Sequence, residues 1–222
     1  MATVSKLRSD DVSHLKQVFK VAYFEPGESY VLDAPVGDLY FYTAYVGKHH
    51  IKVERGDCVY YVNDALTEAH LKTGPVEVDS TRLATVIRGY MPESKWSTVT
   101  GWTNLPYVNG CSTKQIFPPD RIGDPTLQLL DIPPFSAEQA HHIHSTARVV
   151  IVLKGRGTSV VGMDQAVIRE ALYPGKVVVL HKMSPHHFET EDDHLVVLPL
   201  HVFSSAGPIE NNHPMFNGTH MT

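Results

Sequence analysis

The chain has 222 residues, 42% hydrophobic and 19% charged, with a formal charge of −5 at pH 7. That length and apolar content suit one large β domain or two small ones, and no Lys/Arg cluster forms a stripe for nucleic acid. No apolar run approaches the ~20 residues that cross a bilayer, and the N-terminal stretch lacks a signal-peptide core. Cys58 and Cys111 are the two cysteines and sit in no pair motif, so we expect free thiols in a reducing cytoplasm rather than a disulfide framework.

Residues 10–22, DDVSHLKQVFKVA, place Val12, Leu15, Val18, Phe19 and Ala22 at helical spacing behind two aspartates able to cap a helix start. One short helix is predicted there. The rest reads as short strands ended by Gly, Pro, Asp or Asn: DLYFYTAYVG, GDCVYYVND, RLATVIRGYM, TLQLLDI, ARVVIVLKG, TSVVG, KVVVLHKM and HLVVLPLHVF. The expected class is all-β, a sandwich or barrel. Val149–Leu153 and Val177–Leu180 are apolar on both faces, which demands cover on both sides, a second sheet within and another barrel outside. The run YFYTAY, 40–45, is read as barrel core or such a seam rather than a sugar-stacking platform, GRG at 155–157 suggests a hairpin turn, and EDD at 191–193 a solvated one. Residues 101–125, dense in Gly, Pro, Asn and Asp, separate two halves that echo one another weakly. The organisation expected is an N-terminal helical segment (1–22), a first β barrel (23–110), a second (111–205) and a C-terminal tail (206–222) that either is disordered or covers a neighbour, the alternative being one barrel with an N-terminal β extension.

Fourteen histidines occur, and HHIH at 141–144 packs three into four positions. Strand side chains alternate, so His142 and His144 share a face while His141 and Ile143 take the other. Two imidazoles can then reach one metal, with a third from a neighbouring strand, for which MSPHHFET offers His186 and His187. The spacing resembles that of the cupin superfamily. In the first cupin motif Ser136 stands for the opening glycine, His142 and His144 match the His-x-His, Arg148 replaces the glutamate and Gly155 matches. In the second, Gly175 and His186 match, while His181, Met183 and Thr190 stand for proline, glycine and asparagine. The resemblance covers the C-terminal half. The N-terminal half looks like a degenerate barrel without the metal motif, its Gly56 to His70 spacing being too long. It implies a bicupin with a metal site at His142, His144 and His186. His141, His187, His194 and His213 are read as ordinary polar residues, His201 as a candidate lining residue, and His181 as a support for the ligands.

Arg148 cannot coordinate a metal, yet strand parity turns it inward beside the histidines. Three readings stay open: it binds an anionic group of a substrate next to a three-histidine metal, it pairs with an internal acid such as Glu170 or Glu189, or the site has lost its metal. Imidazole ligands suit several ions; Fe(II) is favoured, with Zn, Mn or Ni possible. The resemblance implies a metal-dependent enzyme acting on a small anionic or polar metabolite, an Fe(II)-dependent dioxygenase in the leading reading. A redox-neutral lyase or isomerase, needing a base such as Tyr60, Tyr61, Glu189 or His201, and a non-catalytic binding module are the alternatives. The expected setting is cytoplasmic, with a homodimer, a small-molecule substrate, and neither nucleic acid nor membrane as partner.

Overall fold

The computed structural model describes residues 9–35, 41–164, 166–203 and 219–221, with backbone only for 9–11 and 219–221. Helix α1 (Ser9–Val18) precedes β1 (Val21–Phe24), β2 (Tyr30–Asp33), β3 (Tyr42–Val46), β4 (His49–Val53) and β5 (Asp57–Val62). Next come β6 (Glu68–Thr73), β7 (Val76–Ser80), β8 (Leu83–Arg88), β9 (Lys95–Thr98), β10 (Leu105–Pro106) and a 3-10 turn (Val108–Gly110). Then follow β11 (Ser112–Phe117), β12 (Thr126–Ile132), β13 (His142–His144), β14 (Arg148–Gly155), β15 (Gly157–Met163) and β16 (Ala166–Leu172). The chain closes with β17 (Val177–Leu180), β18 (His186–Glu189), β19 (Leu195–His201) and β20 (Thr219–Met221). The all-β expectation is met.

These strands form four antiparallel sheets. One has seven strands in the order β1-β17-β14-β19-β12-β11-β10, and another five, β16-β15-β18-β13-β20. A third has six, β2-β3-β8-β5-β6-β9, and β4 pairs with β7. Three apolar clusters show how they stack. Val150, Val152, Val178 and Leu180 of the seven-stranded sheet meet Val161, Ile168 and Phe188 of the five-stranded sheet. Val149, Ile151, Val177 and Val179 on its other face meet Tyr42, Ala44, Cys58 and Tyr60 of the six-stranded sheet. Ile51, Val53 and Val78 of the small sheet cover Val59, Ala84 and Val86. The doubly apolar strands therefore lie between two sheets, as their lack of alternation requires, and each fully buried Val or Ile contributes roughly 1.5–3 kcal/mol of transfer free energy.

The helix stops four residues earlier than its periodicity suggests. Lys20 adopts a left-handed conformation with φ 52°, which a helix cannot continue, and Val21 then starts β1 against Leu180 of β17. Leu15 and Phe19 still face the apolar cluster as anticipated. The Gly- and Pro-rich 101–125 stretch contributes β10 and part of the seven-stranded sheet through β11. The GRG segment is not a hairpin: β14 pairs with β17 and β19, β15 with β16 and β18, so the turn carries the chain between sheets. Gly155 has φ 77° there, and a Cβ on it would lie 1.7 Å from the His194 carbonyl oxygen.

The N-terminal segment is also pinned electrostatically. Lys176, 1% exposed, places Nζ 2.8 Å from Glu25 Oε1 and 2.8 Å from Glu170 Oε1, and Tyr173 donates to Glu25. The Lys176 hydrogen bond holds the Glu25 carboxyl below the ordinary carboxylate range. Lys176→Met is expected to cost about 2 kcal/mol, less than the ~3–5 of a fully buried pair because both acids keep solvent contact. Urea denaturation at pH 7 checks this, and an unchanged midpoint would show that the pair contributes nothing.

Candidate metal centre

Pairing between β13 and β18 sets His142 directly opposite His186. Alternation puts His144 on that same face, so three imidazoles converge without distortion of either strand. Ring centroids lie 4.7 Å apart for His142–His144, 4.6 Å for His142–His186 and 5.0 Å for His144–His186. One nitrogen from each falls within 4.8 Å of the others, and the Nε2 atoms of His142 and His144 are 3.1 Å apart.

The outer nitrogens are anchored. His142 Nδ1 donates to the Ala140 carbonyl at 2.9 Å and His186 Nδ1 to the Ser184 carbonyl at 2.7 Å. A ring that donates through Nδ1 keeps its Nε2 lone pair for an ion, the arrangement that orients histidine ligands in metal sites. Desolvation by burial lowers all three imidazoles, His142 to about 4 and His144 and His186 well below the ordinary histidine range. At neutral pH they are therefore uncharged and competent ligands. The donor set fits a divalent transition metal, and imidazole alone does not select which one.

The loop carrying His186 is braced from two directions. Met183, itself at φ 63°, donates its backbone N–H to the His144 carbonyl at 2.7 Å. The His181 N–H donates to the Lys20 carbonyl at 3.2 Å, and Ser184 Oγ donates to the Phe19 carbonyl. The end of α1 thus helps hold His186 in register, a role that nothing local in its sequence announces.

Arg148 points inward, as parity requires, and is buried. Its Nη1 donates to the Thr146 hydroxyl and, at 3.3 Å, to the Ala147 carbonyl, while Nε is buried without a hydrogen-bond partner. The acid it senses is neither Glu170, which binds Lys176 and Lys16, nor Glu189, which binds Arg169 and His187. It is Glu138, four residues before the first ligand histidine and missed in the sequence. Glu138 Oε1 accepts the Phe188 N–H at 3.3 Å, and its own N–H donates to the Phe188 carbonyl at 3.0 Å. Burial pushes its carboxyl up to about 8, against a smaller lowering by the Phe188 N–H and Arg148. Burial likewise pulls the guanidinium down to about 9, which still leaves Arg148 charged at pH 7.

Glu138, His144, Arg148, His186, His201 and Phe188 share one cavity of about 20 Å³. That volume admits an ion or a single water; a metabolite enters only with displacement of a wall. His201 lies beside the cluster, its ring 6.2 Å from that of His144. Of the other residues singled out, Tyr60 belongs to the seam between sheets, Tyr61 stacks on His70, and Glu189 faces outward. His194 is exposed and bonded to Asp131, and His213 lies outside the described residues. In the tail only 219–221 is described, as β20 paired along β13.

No family model matches the chain, and no curated protein matches its sequence. Its fold is nevertheless the cupin fold, shared with solved structures that match it along most of its length. A salicylate 1,2-dioxygenase mutant from Pseudoaminobacter salicylatoxidans, solved with gentisate, matches with TM-score 0.51 and 9% identity over 99% of this chain and 97% of that one. A protein described as glyoxylate-induced, from Pseudomonas aeruginosa, matches with TM-score 0.51 and 12% identity over 78% of this chain and 79% of that one. A cupin 2 conserved barrel domain protein from Leptotrichia buccalis has TM-score 0.44 and 13% identity, covering 81% and 91%. Among the described residues no helix is long and apolar enough to cross a membrane.

Proposed function

We propose that the protein is a metal-dependent cupin enzyme that acts on a small anionic metabolite, with Fe(II) as its metal and a dioxygenase reaction as its chemistry. The observation that carries this reading is the convergence of three neutral, buried histidines on one point beside an inward-facing arginine. His142, His144 and His186 would hold the ion. When bound, iron supplies the coupling of substrate to molecular oxygen, with the positions not taken by protein open to both.

The chain's own residues account for the rest. Arg148 is a buried cation that interacts electrostatically with Glu138, whose own burial holds its proton near neutrality, so an anionic substrate group supplies the missing counter-charge. Gln128, wholly buried, has neither amide atom hydrogen-bonded and alternates inward with Leu130 and Ile132, which suits a substrate with polar groups of its own. Phe188, Val150 and Val197 line the same cavity and would exclude water around a bound ion. One observation favours the redox-neutral alternative: Glu138, with a carboxyl pushed up to about 8, is the proton-transferring group that a lyase or isomerase needs.

Purified without a histidine tag, the protein is expected to hold close to one tightly bound transition metal per chain by elemental analysis. The iron-loaded protein, offered a panel of small carboxylates that includes gentisate, is expected to consume oxygen with one of them. Product formation without oxygen uptake would favour the lyase or isomerase, and a folded, metal-free protein would leave a binding module. The same reading includes a homodimer in the cytoplasm. Edge strand β2 leaves Tyr30 and Val31 about half exposed, a surface that suits pairing with a second copy, and both cysteines are buried free thiols. Light scattering on the purified chain tests the dimer.

A further inference from the structure

The five-stranded sheet carries a second pair of histidines, on the face opposite the three-histidine cluster. His141 and His187 alternate with the ligand positions and point away from the cavity. Their Nδ1 atoms are 2.8 Å apart, and their rings stand nearly perpendicular at 85°, with centroids 5.1 Å apart.

The partners of the remaining nitrogens decide what lies between the rings. His141 Nε2 contacts the Gly162 carbonyl, and His187 Nε2 lies 3.2 Å from Glu189 Oε2. A carbonyl and a carboxylate only accept hydrogen bonds, so both rings carry their proton on Nε2. Each Nδ1 then presents a lone pair to the other at contact distance. Two facing lone pairs repel, so the contact requires either a proton shared as an N–H···N hydrogen bond or a metal ion between the rings. The surroundings match those of ligating histidines, each of which donates its distal N–H to a carbonyl or carboxylate. Glu189 is itself held by Arg169.

We propose that His141 and His187 form a second metal site, exposed to solvent and independent of the three-histidine centre. Two imidazole nitrogens at roughly 2.1 Å from one ion are separated by roughly 3.0 Å at a right angle and roughly 3.4 Å at the tetrahedral angle. The observed spacing therefore suits an ion that accepts cis ligands at 90°, such as Cu(II) or Ni(II), better than tetrahedral zinc. Water completes the coordination on the open side, where His187 keeps 18% of its side chain exposed.

The test is calorimetric titration of the tag-free, metal-stripped protein with Cu(II) chloride and with Ni(II) chloride, together with electron paramagnetic resonance of the copper form. The wild-type chain is expected to bind two equivalents. His187→Ala and His141→Ala should each bind one, retained by the inner centre. His144→Ala should also bind one, now with the copper spectrum of a two-nitrogen site. Glu189→Gln leaves both histidines in place and should weaken only the outer site, about 10- to 100-fold, so the proposal stays testable if an alanine variant folds poorly. A single wild-type equivalent that His144→Ala abolishes would overturn it, the pair then holding only a proton. Two undiminished equivalents in His187→Ala would overturn it as well. Because the inner site is scored separately in His187→Ala, failure here does not touch the proposed enzyme, and absence of metal at the inner centre does not touch this site.

Discussion

His144→Ala is expected to lose the tightly held metal, with affinity falling more than 100-fold and turnover falling to background. Three protein ligands are the minimum for a catalytic centre of this type, and even groups that merely orient a ligand change affinity 10- to 100-fold. His144 is buried beside both other rings, so no solvent-exposed group stands ready to replace it. The strand should survive. It is paired to β18 and β20 through its backbone, and alanine removes a polar ring whose burial opposed folding. His201→Ala is the control, because that ring lines the same cavity without belonging to the converging set. Elemental analysis and circular dichroism of both variants check the prediction. Tightly bound iron carried undiminished through purification by His144→Ala, or lost equally from His201→Ala, would remove the case for this ligand set.

Acid should unfold the metal-free protein steeply. Each histidine buried in neutral form has a folded pKa below its unfolded value of 6.5. Its contribution is therefore complete above pH 6.5 and is lost as pH falls through the folded value. While only the unfolded chain is protonated, each adds a slope of about 1.4 kcal/mol per pH unit. Glu138 works in the opposite sense. Its folded carboxyl is raised to about 8, so its contribution is complete below the unfolded value of 4.5 and is lost as pH rises toward 8. Between pH 6.5 and 4.5 three histidines therefore outweigh one acid. Unfolding takes up protons on balance, and stability falls as the pH drops across that interval. Urea unfolding at pH 7, 6 and 5 measures the slope, and His186→Gln should lower it by about one proton. A flat profile over that interval would mean that these imidazoles are charged in the folded state, and so poor ligands.

Much of the site was legible because metal binding on a strand depends on local periodicity. The shared face of His142 and His144 and the inward direction of Arg148 follow from alternation, the choice of His186 over His187 came from the resemblance to the cupin motifs, and the doubly buried strands at 149–153 and 177–180 follow from their uniform apolarity. Other strands were not legible. AVIREAL at 166–172 has the composition of a helix, yet it is β16, with all seven residues paired to β15. Neighbours supplied by the sheet override the weak intrinsic preference of a short segment. The polar strands HHIKV and VEVDS bury alternate residues only because they pair with each other over the six-stranded sheet.

What the sequence determined by itself, then, is the all-β class, the face on which each histidine lies and the charge that accompanies them, since side-chain direction on a strand depends only on residue parity. What the tertiary structure decided is which groups from distant segments meet. It brought Glu138 into the cavity, sent Glu170 and Glu189 to other cations, set the end of α1 beneath the His186 loop, and faced His141 with His187 on the outer side. The reason is physical. Parity is a property of one strand, whereas burial, desolvation and hydrogen-bond partnership belong to pairs of strands whose order in the sheet no local pattern encodes.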